Sequence, residues 1–253
     1  MIENPYDAVI IGAGPAGSAA AAILAELGHN VVVLEKGKFP RYHIGESLLP
    51  FTYHPLKRLG LIDKMRASAF TKKYSVQFIA PSGRASQPFY FNDRYDDDIA
   101  QTWQVLRSEF DEMLVVDARA KGATVIEEIA VKRLIEEDGR VVGVEAQTKD
   151  GETVEYRAPI TLDCTGKESF AAVRNGWRIK DPKLNKVAVW TYYKGAKRDK
   201  GIDEGATTVA FVPEKGWFWY IPQHNDMVSV GVVAEGKYLS RDGVRDPKAM
   251  FDR

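Results

Sequence analysis

The stretch from Asp7 to Glu35 constrains this chain more than any other. Asp7-Ala-Val-Ile-Ile11 is a short apolar run, Gly12-Ala-Gly14-Pro-Ala-Gly17 follows it at once, Ser18 to Leu27 is rich in helix formers, and Asn30 to Leu34 is a second apolar run. The pattern predicts strand, glycine turn, helix, strand. Gly12 permits the tight turn, Gly14 lets the backbone approach a pyrophosphate, and Gly17 lets the helix pack closely on the sheet. The helix N-terminus offers free N–H groups to such an anion. Glu35 ends the second strand, where a carboxylate can bond a ribose 2′-hydroxyl. A lone G-x-G-x-x-G is a weak signal, but here strand, helix and terminal acid stand at the spacing a dinucleotide site requires. The uncharged segment 8–25 is also long enough to raise a membrane helix. It is broken by Pro15 and preceded by Glu3 and Asp7 rather than by Lys or Arg, so neither a signal peptide nor a membrane span is expected.

The chain has 253 residues, enough for one large domain or two intimately packed ones. Lys+Arg and Asp+Glu number 35 each, so no general attraction to nucleic acid or to an anionic membrane follows. The single cysteine, Cys164, excludes an internal disulfide framework and fits a reducing cytoplasm. His29, His43, His54 and His224 form no metal-ligand spacing, and no metal site is expected.

After Glu35 the sequence Lys36-Gly-Lys-Phe-Pro-Arg41-Tyr-His-Ile-Gly45-Glu46-Ser47-Leu-Leu-Pro50 describes a loop, with Glu46-Ser47 able to open a helix reaching Leu59. Lys72 to Ala80 alternates as a strand, Pro81-Ser-Gly83 is a turn, Arg84 to Phe91 is its hairpin partner, and Asn92 to Asp98 is an acidic, solvated loop. A helix is predicted over 108–121, ended by Gly122, with Phe110, Leu114, Val115 and Ala118 as its apolar face. Strands at 125–128, 131–136, 141–147 and 153–157, with turns at Asp138-Gly139 and Asp150-Gly151, make a β-meander inserted into an α/β frame. Ile160-Thr-Leu-Asp163-Cys-Thr-Gly166 is an apolar strand ending in a glycine turn, which places Asp163 and Gly166 beside Gly12 to Gly17 at the carboxyl edge of a parallel sheet. Strands at 187–193, 207–212, 217–221 and 227–233, with turns at Glu214-Lys-Gly216 and His224-Asn-Asp226, suit a mainly antiparallel sheet. The expected class is therefore α/β: a Rossmann-like domain over 1–70 and 100–170, and a substrate-side β-sheet domain over 71–99 and 171–253. Asp246 to Arg253 opens a helix with nothing after it to pack on, and the chain reads as truncated at its C-terminus.

Four motifs together resemble the flavin-dependent halogenases, within the larger group of FAD monooxygenase-like proteins. They are Gly12-x-Gly14-x-x-Gly17 with Glu35, Pro40-Arg41-x-x-x-Gly45-Glu46-Ser47, Gln104-Val-x-Arg107-x-x-Phe110-Asp111, and Trp217-Phe-Trp219-Tyr-Ile221-Pro222. The first three are shared widely among FAD oxidoreductases; the fourth is the halogenases' own. The resemblance implies an FAD site built from Gly12, Gly14, Pro15, Ala16, Gly17, Glu35, Lys36, Arg41, Gly45, Glu46, Ser47, Gln104, Arg107, Asp163 and Gly166. Trp217 and Trp219 lie two apart on a strand, so both indoles face one side, as ordinary packing aromatics would too. The resemblance implies instead that Trp217, Trp219, Ile221 and Pro222 wall off the flavin, so that a small ion reaches it and an organic substrate does not. Its pattern F-x-x-K-x-x-x-x-F matches Phe70-Thr-Lys-Lys73-Tyr-Ser-Val-Gln-Phe78 and selects Lys73 over Lys72 as the catalytic lysine that directs oxidised halogen to an aromatic ring. Burial would lower the pKa of such a lysine, whereas a solvated lysine on a strand is the plain alternative.

The activity implied is halogenation of an electron-rich aromatic, free or carrier-protein-bound, by FADH2, O2 and halide. The plain glycine turn, without the extra glycine and tryptophan of the tryptophan-halogenase branch, is similar to the branch acting on phenols, pyrroles or carrier-bound acyl groups. With no second G-x-G-x-x-G for NAD(P)H, a separate flavin reductase is the expected supplier of FADH2. The alternatives are an FAD-dependent hydroxylase or a geranylgeranyl-reductase-like enzyme on the same fold, and an inactive flavin-binding module. The last follows because the later Gly-Asp-Ala stretch and helical substrate region of such families do not occur within residues 1–253.

Overall fold

The computed structural model describes residues 6–95, 97–212 and 215–252. Its elements begin with β1 (Ala8–Ile11), α1 (Pro15–Glu26) and β2 (Val31–Leu34), followed by α2 (Tyr53–Leu59), α3 (Ile62–Ala67), β3 (Thr71–Lys73), β4 (Ser75–Ile79) and β5 (Phe89–Tyr90). Next come β6 (Thr102–Gln104), α4 (Arg107–Ala120), β7 (Thr124–Ile126), β8 (Ile129–Glu137), β9 (Arg140–Thr148), β10 (Thr153–Arg157), β11 (Ile160–Asp163) and α5 (Phe170–Arg174). The remainder is β12 (Lys186–Lys194), β13 (Thr207–Val212), β14 (Gly216–Pro222), β15 (Met227–Glu235), α6 (Gly236–Leu239) and α7 (Pro247–Phe251). They divide into two units, residues 1–44 with 107–179 and residues 45–106 with 180–253.

In the first unit a parallel sheet runs in the order β11-β1-β2-β7, with its central strands β1 and β2, rich in β-branched residues, buried on both faces. Helix α4 buries Phe110, Leu114, Val115 and Ala118, the face its periodicity predicts, but also Asp111 and Asp117. The meander β8-β9-β10 forms its own antiparallel sheet, and Ile129, Val144 and Ala146 close it onto Val9, Ile11, Val32 and Leu34. Its first turn follows the sequence closely, since Asp138 and Gly139 both take positive φ, as a right-twisting two-residue hairpin demands.

The second unit is organised by a six-stranded sheet in the order β12-β15-β14-β13-β4-β5, antiparallel except where β13 runs parallel to β4. Register fixes its two faces, because residues opposite one another share a side. Val189, Val232, Ala234 and Phe218 lie on one face, and Leu239 of α6 with Met250 and Phe251 of α7 pack on it. The other face carries Trp190 and Tyr192, Ser229 and Gly231, Trp217 and Trp219, and Thr207 and Val209 on successive strands.

Three expectations are corrected. Residues 72–80 are not one strand: Lys73 pairs with Thr102 in the β3-β6 ladder, Ser75 pairs with Tyr90, and Tyr74 between them gives its carbonyl to the Phe91 N–H. The chain passes between two sheets at Tyr74, which unbroken alternation cannot register. Glu46-Ser47 opens no helix; Ser47 bridges to Gln104, while the Val105 N–H donates to the Glu46 carbonyl and the Leu48 N–H to the Trp103 carbonyl. Residues 45–70 and 100–106 group with the second unit, not the first, and the other boundary falls after Ile179 rather than at 170. The helix expected from Asp246 is present as α7, capped by Asp246, which accepts from the Ala249 N–H, and it packs through Met250 and Phe251 on the preceding sheet. Of the expected segments, Asp96 in the acidic loop, Glu214 in the β13-β14 turn, and Arg253 lie outside the described residues.

Candidate functional site

The first unit holds a cleft of about 390 Å³ where strand ends and a helix start converge. Gly12, Gly14, Pro15, Ala16, Glu35, Lys36, Arg41, Arg107, Thr165 and Gly166 line it. Its shape depends on missing side chains. A Cβ on Gly17 would stand 1.9 Å from the Gly12 carbonyl oxygen, and one on Gly12, whose φ is +95°, would stand 2.8 Å from that of Cys164. On Gly14 it would meet only the Arg41 guanidinium, at 3.7 Å. The first turn of α1 has neither a side-chain cap nor an acidic residue, and Pro15 removes one of its unsatisfied amides.

Charge in this cleft is arranged around two buried carboxylates. Glu35 accepts from the Ala13 N–H (2.9 Å), the Gly37 N–H (2.8 Å) and Arg41 Nη2 (3.4 Å). Asp111, fully buried, accepts from Arg107 Nε at 2.7 Å and Nη2 at 2.9 Å, and from Arg41 Nη1 at 3.1 Å. Arg107 also donates to the Ile44 carbonyl at 2.6 Å, whereas the buried Nε of Arg41 has no partner. Lys36 pairs with Glu168. Asp163 and Gly166 stand beside the glycine turn as expected, with Asp163 opposite Ile11 in the ladder. Burial opposes the charge of Asp163, but the Thr165 hydroxyl and the Ala171 and Thr165 amides outweigh it and hold its carboxyl below the usual range. Burial, and then the charge of Asp163, push the Cys164 thiol up, so it stays protonated.

The second unit brings together a different set. Lys73 is only 2% exposed, while its neighbour Lys72 is exposed. Lys73 Nζ donates to Ser47 Oγ at 2.8 Å and to the Leu48 carbonyl at 3.1 Å, and lies 5.4 Å from the Phe91 ring centroid. Burial lowers its pKa from 10.5 to about 8. Ser47 Oγ shares a 2.8 Å hydrogen bond with Thr207 Oγ1, and Gln104 Nε2 donates to Thr207 Oγ1 and to the Gly205 carbonyl, both at 2.8 Å. Glu46, also 2% exposed, accepts a short hydrogen bond from the Tyr192 hydroxyl through Oε1, while Oε2 is buried without a partner. Gly45 reaches φ +102° just before it.

Thr207, Tyr192 and the two tryptophans share the sheet face without the helices. The tryptophans do point to one side, but they differ. Trp219 lies flat on Gly231, where a Cβ would come within 2.2 Å of its ring, donates from Nε1 to Ser229 Oγ at 3.1 Å, and has Trp190 beside it at 6.5 Å. Trp217 is 39% exposed, and Ile221 and Pro222 are buried.

Sequence reasoning did not assign Thr207, Tyr192, Trp190, Gly231 or Asp111 to a site. Asp111 had a usable signal, falling four residues after Arg107 on a helix. The others are ordinary strand residues until the register is known. Among the described residues no cluster of His, Cys, Asp and Glu could hold a metal ion, and no helix is long and apolar enough to cross a membrane.

Residues 5–235 match the model of the FAD binding domain family, and the chain belongs to that family. The flavin-dependent halogenase armH4 of Armillaria mellea is 36% identical over 242 residues, covering 90% of this chain and 45% of that protein. The 1H-pyrrole-2-carbonyl-(peptidyl-carrier protein) brominase of Pseudoalteromonas luteoviolacea is 34% identical over 230 residues, covering 90% of this chain and 54% of that protein. Among solved structures, the myxobacterial chondrochloren halogenase CndH superposes with a TM-score of 0.82 at 31% identity, over 94% of this chain and 55% of that one. The chain thus spans about half the length of the curated relatives it matches.

The cleft fits the dinucleotide the family binds. Gly14 leaves its backbone open, the α1 terminus is free of competing acids, and Arg41 lines the cleft with a guanidinium whose Nε has no partner.

Proposed function

We propose that the protein is a flavin-dependent halogenase acting on an electron-rich aromatic substrate. The observation that carries this reading is the buried Lys73, held within the second unit by Ser47 and the Leu48 carbonyl on the sheet side that bears Trp190 and Trp219. An ammonium on a strand is normally solvated; a buried one whose pKa falls to about 8 is poised to be amine or ammonium near neutral pH.

In this reading Gly12, Gly14, Pro15, Ala16 and Gly17 receive the pyrophosphate of FAD, Glu35 its ribose, and Arg41 its negative charge. Lys36, Arg107, Asp163 and Gly166, with Gly45, Glu46, Ser47 and Gln104, complete the set of candidate contacts. The bound flavin supplies the reducing equivalents that activate O2 toward oxidation of halide. Trp217, Trp219 and Ile221, which share one sheet face while Pro222 lies on the other, exclude the aromatic from that chemistry, and Lys73 engages the resulting hypohalous acid through Nζ. Halogen is delivered to a ring carbon, the ring proton leaves, and water is released. Over the whole reaction O2 takes four electrons, two from FADH2 and two from the ring and halide, and ends as two waters.

A separate flavin reductase would supply FADH2, since the sequence has one G-x-G-x-x-G only. The carrier-bound pyrrole brominase among the relatives supports a carrier-bound substrate for this chain too, and free phenols are the other class proposed. The single cysteine suits a cytoplasmic setting. The test supplies the protein with reductase-generated FADH2, O2, bromide and a panel of free and carrier-bound phenols and pyrroles, and reads product mass. Bromide-dependent replacement of a ring hydrogen by bromine is expected. Bromide-independent addition of oxygen, or of hydrogens, would overturn the reading in favour of a hydroxylase or a reductase.

A further inference from the structure

Resemblance gives Ser47 and Gln104 to the flavin; in the structure the Ser47 hydroxyl and the Gln104 amide nitrogen are hydrogen-bonded within the second unit, while Gln104 Oε1 is buried without a partner. The amide atom of Gln104 that lies 2.8 Å from the Gly205 carbonyl must be nitrogen, because a carbonyl only accepts. That same nitrogen donates its second hydrogen to Thr207 Oγ1. Thr207 Oγ1 and Ser47 Oγ are in turn joined at 2.8 Å, and Ser47 Oγ receives a hydrogen from Lys73. Four side chains from four separate segments therefore form one chain of hydrogen bonds that terminates on Nζ.

We propose that Ser47 and Thr207, anchored by Gln104, are positioning residues for Lys73, holding the Ser47 oxygen as an acceptor toward Nζ and so fixing where the amine points and when it is protonated. With Ser47 donating its hydroxyl hydrogen to Thr207, its lone pairs face Nζ. Ser47 and the Leu48 carbonyl then occupy two N–H groups of Lys73 in either protonation state. One valence remains, a third N–H in the ammonium and a lone pair in the amine, and its direction is set by the other two. Without Thr207 the Ser47 hydroxyl is free to rotate and donate to the amine, consuming the lone pair.

The backbone is built to bring Thr207 to this place. A Cβ on Gly205 would lie 1.9 Å from the Lys72 carbonyl oxygen, so only glycine lets segment 205–207 press against the strand that carries Lys73. On the other side, Ser47 is pinned by its bridge to Gln104 and by the hydrogen bonds of Glu46 and Leu48 to Val105 and Trp103. Acceptors on an ammonium favour its charged form, so this set opposes the burial that drives Lys73 toward neutrality.

The inference gives Lys73 its meaning from the halogenase reading, but its test does not depend on that reading. The full chain, labelled with 13C at lysine Cε, is titrated by NMR without flavin or halide, and Lys73 is assigned by its loss in Lys73→Met. Ser47→Ala is expected to move the Lys73 titration down by about one pH unit, the worth of one hydrogen bond to a charged group. Thr207→Val should move it in the same direction by less, and Ser47→Thr and Thr207→Ser should restore it. Unchanged titration in Ser47→Ala and Thr207→Val, with native circular dichroism in both, would overturn the inference; should Ser47→Ala fail to fold, Thr207→Val and its Ser rescue decide alone. A shifted titration together with full halogenation by Lys73→Ala would leave the positioning intact and sink the role given to Lys73 above.

Discussion

The cleft of the first unit and the polar cluster of the second are built from different materials. The cleft is a backbone object: glycines that leave room, a helix start with bare amides, and strand ends in parallel register. Of its side chains, Glu35 ties that backbone down and Asp111 holds the guanidinium groups of Arg41 and Arg107. The cluster on the sheet face is a side-chain object, assembled from the 46–48 segment, β3, β6, β12 and β13, with the backbone serving as a frame. Backbone sites have fixed spacing in sequence, whereas side-chain sites have fixed spacing only in space. A perturbation of one should therefore leave the other measurable.

The largest expected effect falls on the cleft. Asp111→Asn leaves two arginines sharing a neutral partner at a fully buried position, and breaking a buried pair in this way costs about 3–5 kcal/mol. Chemical denaturation should show that loss, and FAD affinity should fall with it. The Lys73 titration should persist wherever the variant remains folded; its collapse together with FAD binding would show that the two regions are not separable.

On the sheet face the sign reverses. Lys73 has a folded-state pKa of about 8, below its unfolded value of 10.5. Below pH 8 both states carry the proton and burying the charge destabilises the fold; between pH 8 and 10.5 the unfolded state binds more protons, so stability rises with pH. The gain is on the order of 3 kcal/mol at most. Lys73→Met should stabilise the protein at pH 7 by an amount up to that and flatten the pH dependence above 8, as denaturation at several pH values would read. Destabilisation by Lys73→Met would mean that Ser47, Leu48 and Phe91 more than offset the burial.

A smaller effect sharpens the contrast from the aromatic side. Gly231→Ala would place a Cβ 2.2 Å from the Trp219 ring, and overpacking of this kind costs about 1–3 kcal/mol. Near-ultraviolet circular dichroism should show Trp219 displaced from Ser229, while FAD affinity stays near that of the unaltered chain. An unaltered tryptophan signal would show that the seat on Gly231 is loose.

What was legible in the sequence follows the same division. Gly12 to Gly17, Glu35, the buried face of α4 and the meander hairpins all declare themselves by spacing, because each is a local requirement on the backbone. Strand periodicity told that Trp217 and Trp219 share a side but not that Gly231 is what seats one of them, since that depends on which strand lies alongside. Tyr192 and Thr207 carry no signal in their own neighbourhoods; only the β12-β15-β14-β13 register brings them to one face. The passage from β3 to β4 at Tyr74 was hidden for a related reason: alternation persists while the hydrogen-bonding partner changes.

The most direct measurement compares the adjacent lysines. Lys73→Ala and Lys72→Ala proteins, each supplied with FADH2, O2 and bromide, are scored for brominated product formed per flavin oxidised. The buried Lys73 makes contact with Ser47 and Leu48 while Lys72 is exposed, so Lys73→Ala is expected to abolish bromination with flavin oxidation nearly intact, and Lys72→Ala to leave both unchanged. Equal loss of bromination and flavin oxidation in Lys73→Ala, or full bromination without Lys73, would contradict the assignment of this lysine to halogen delivery.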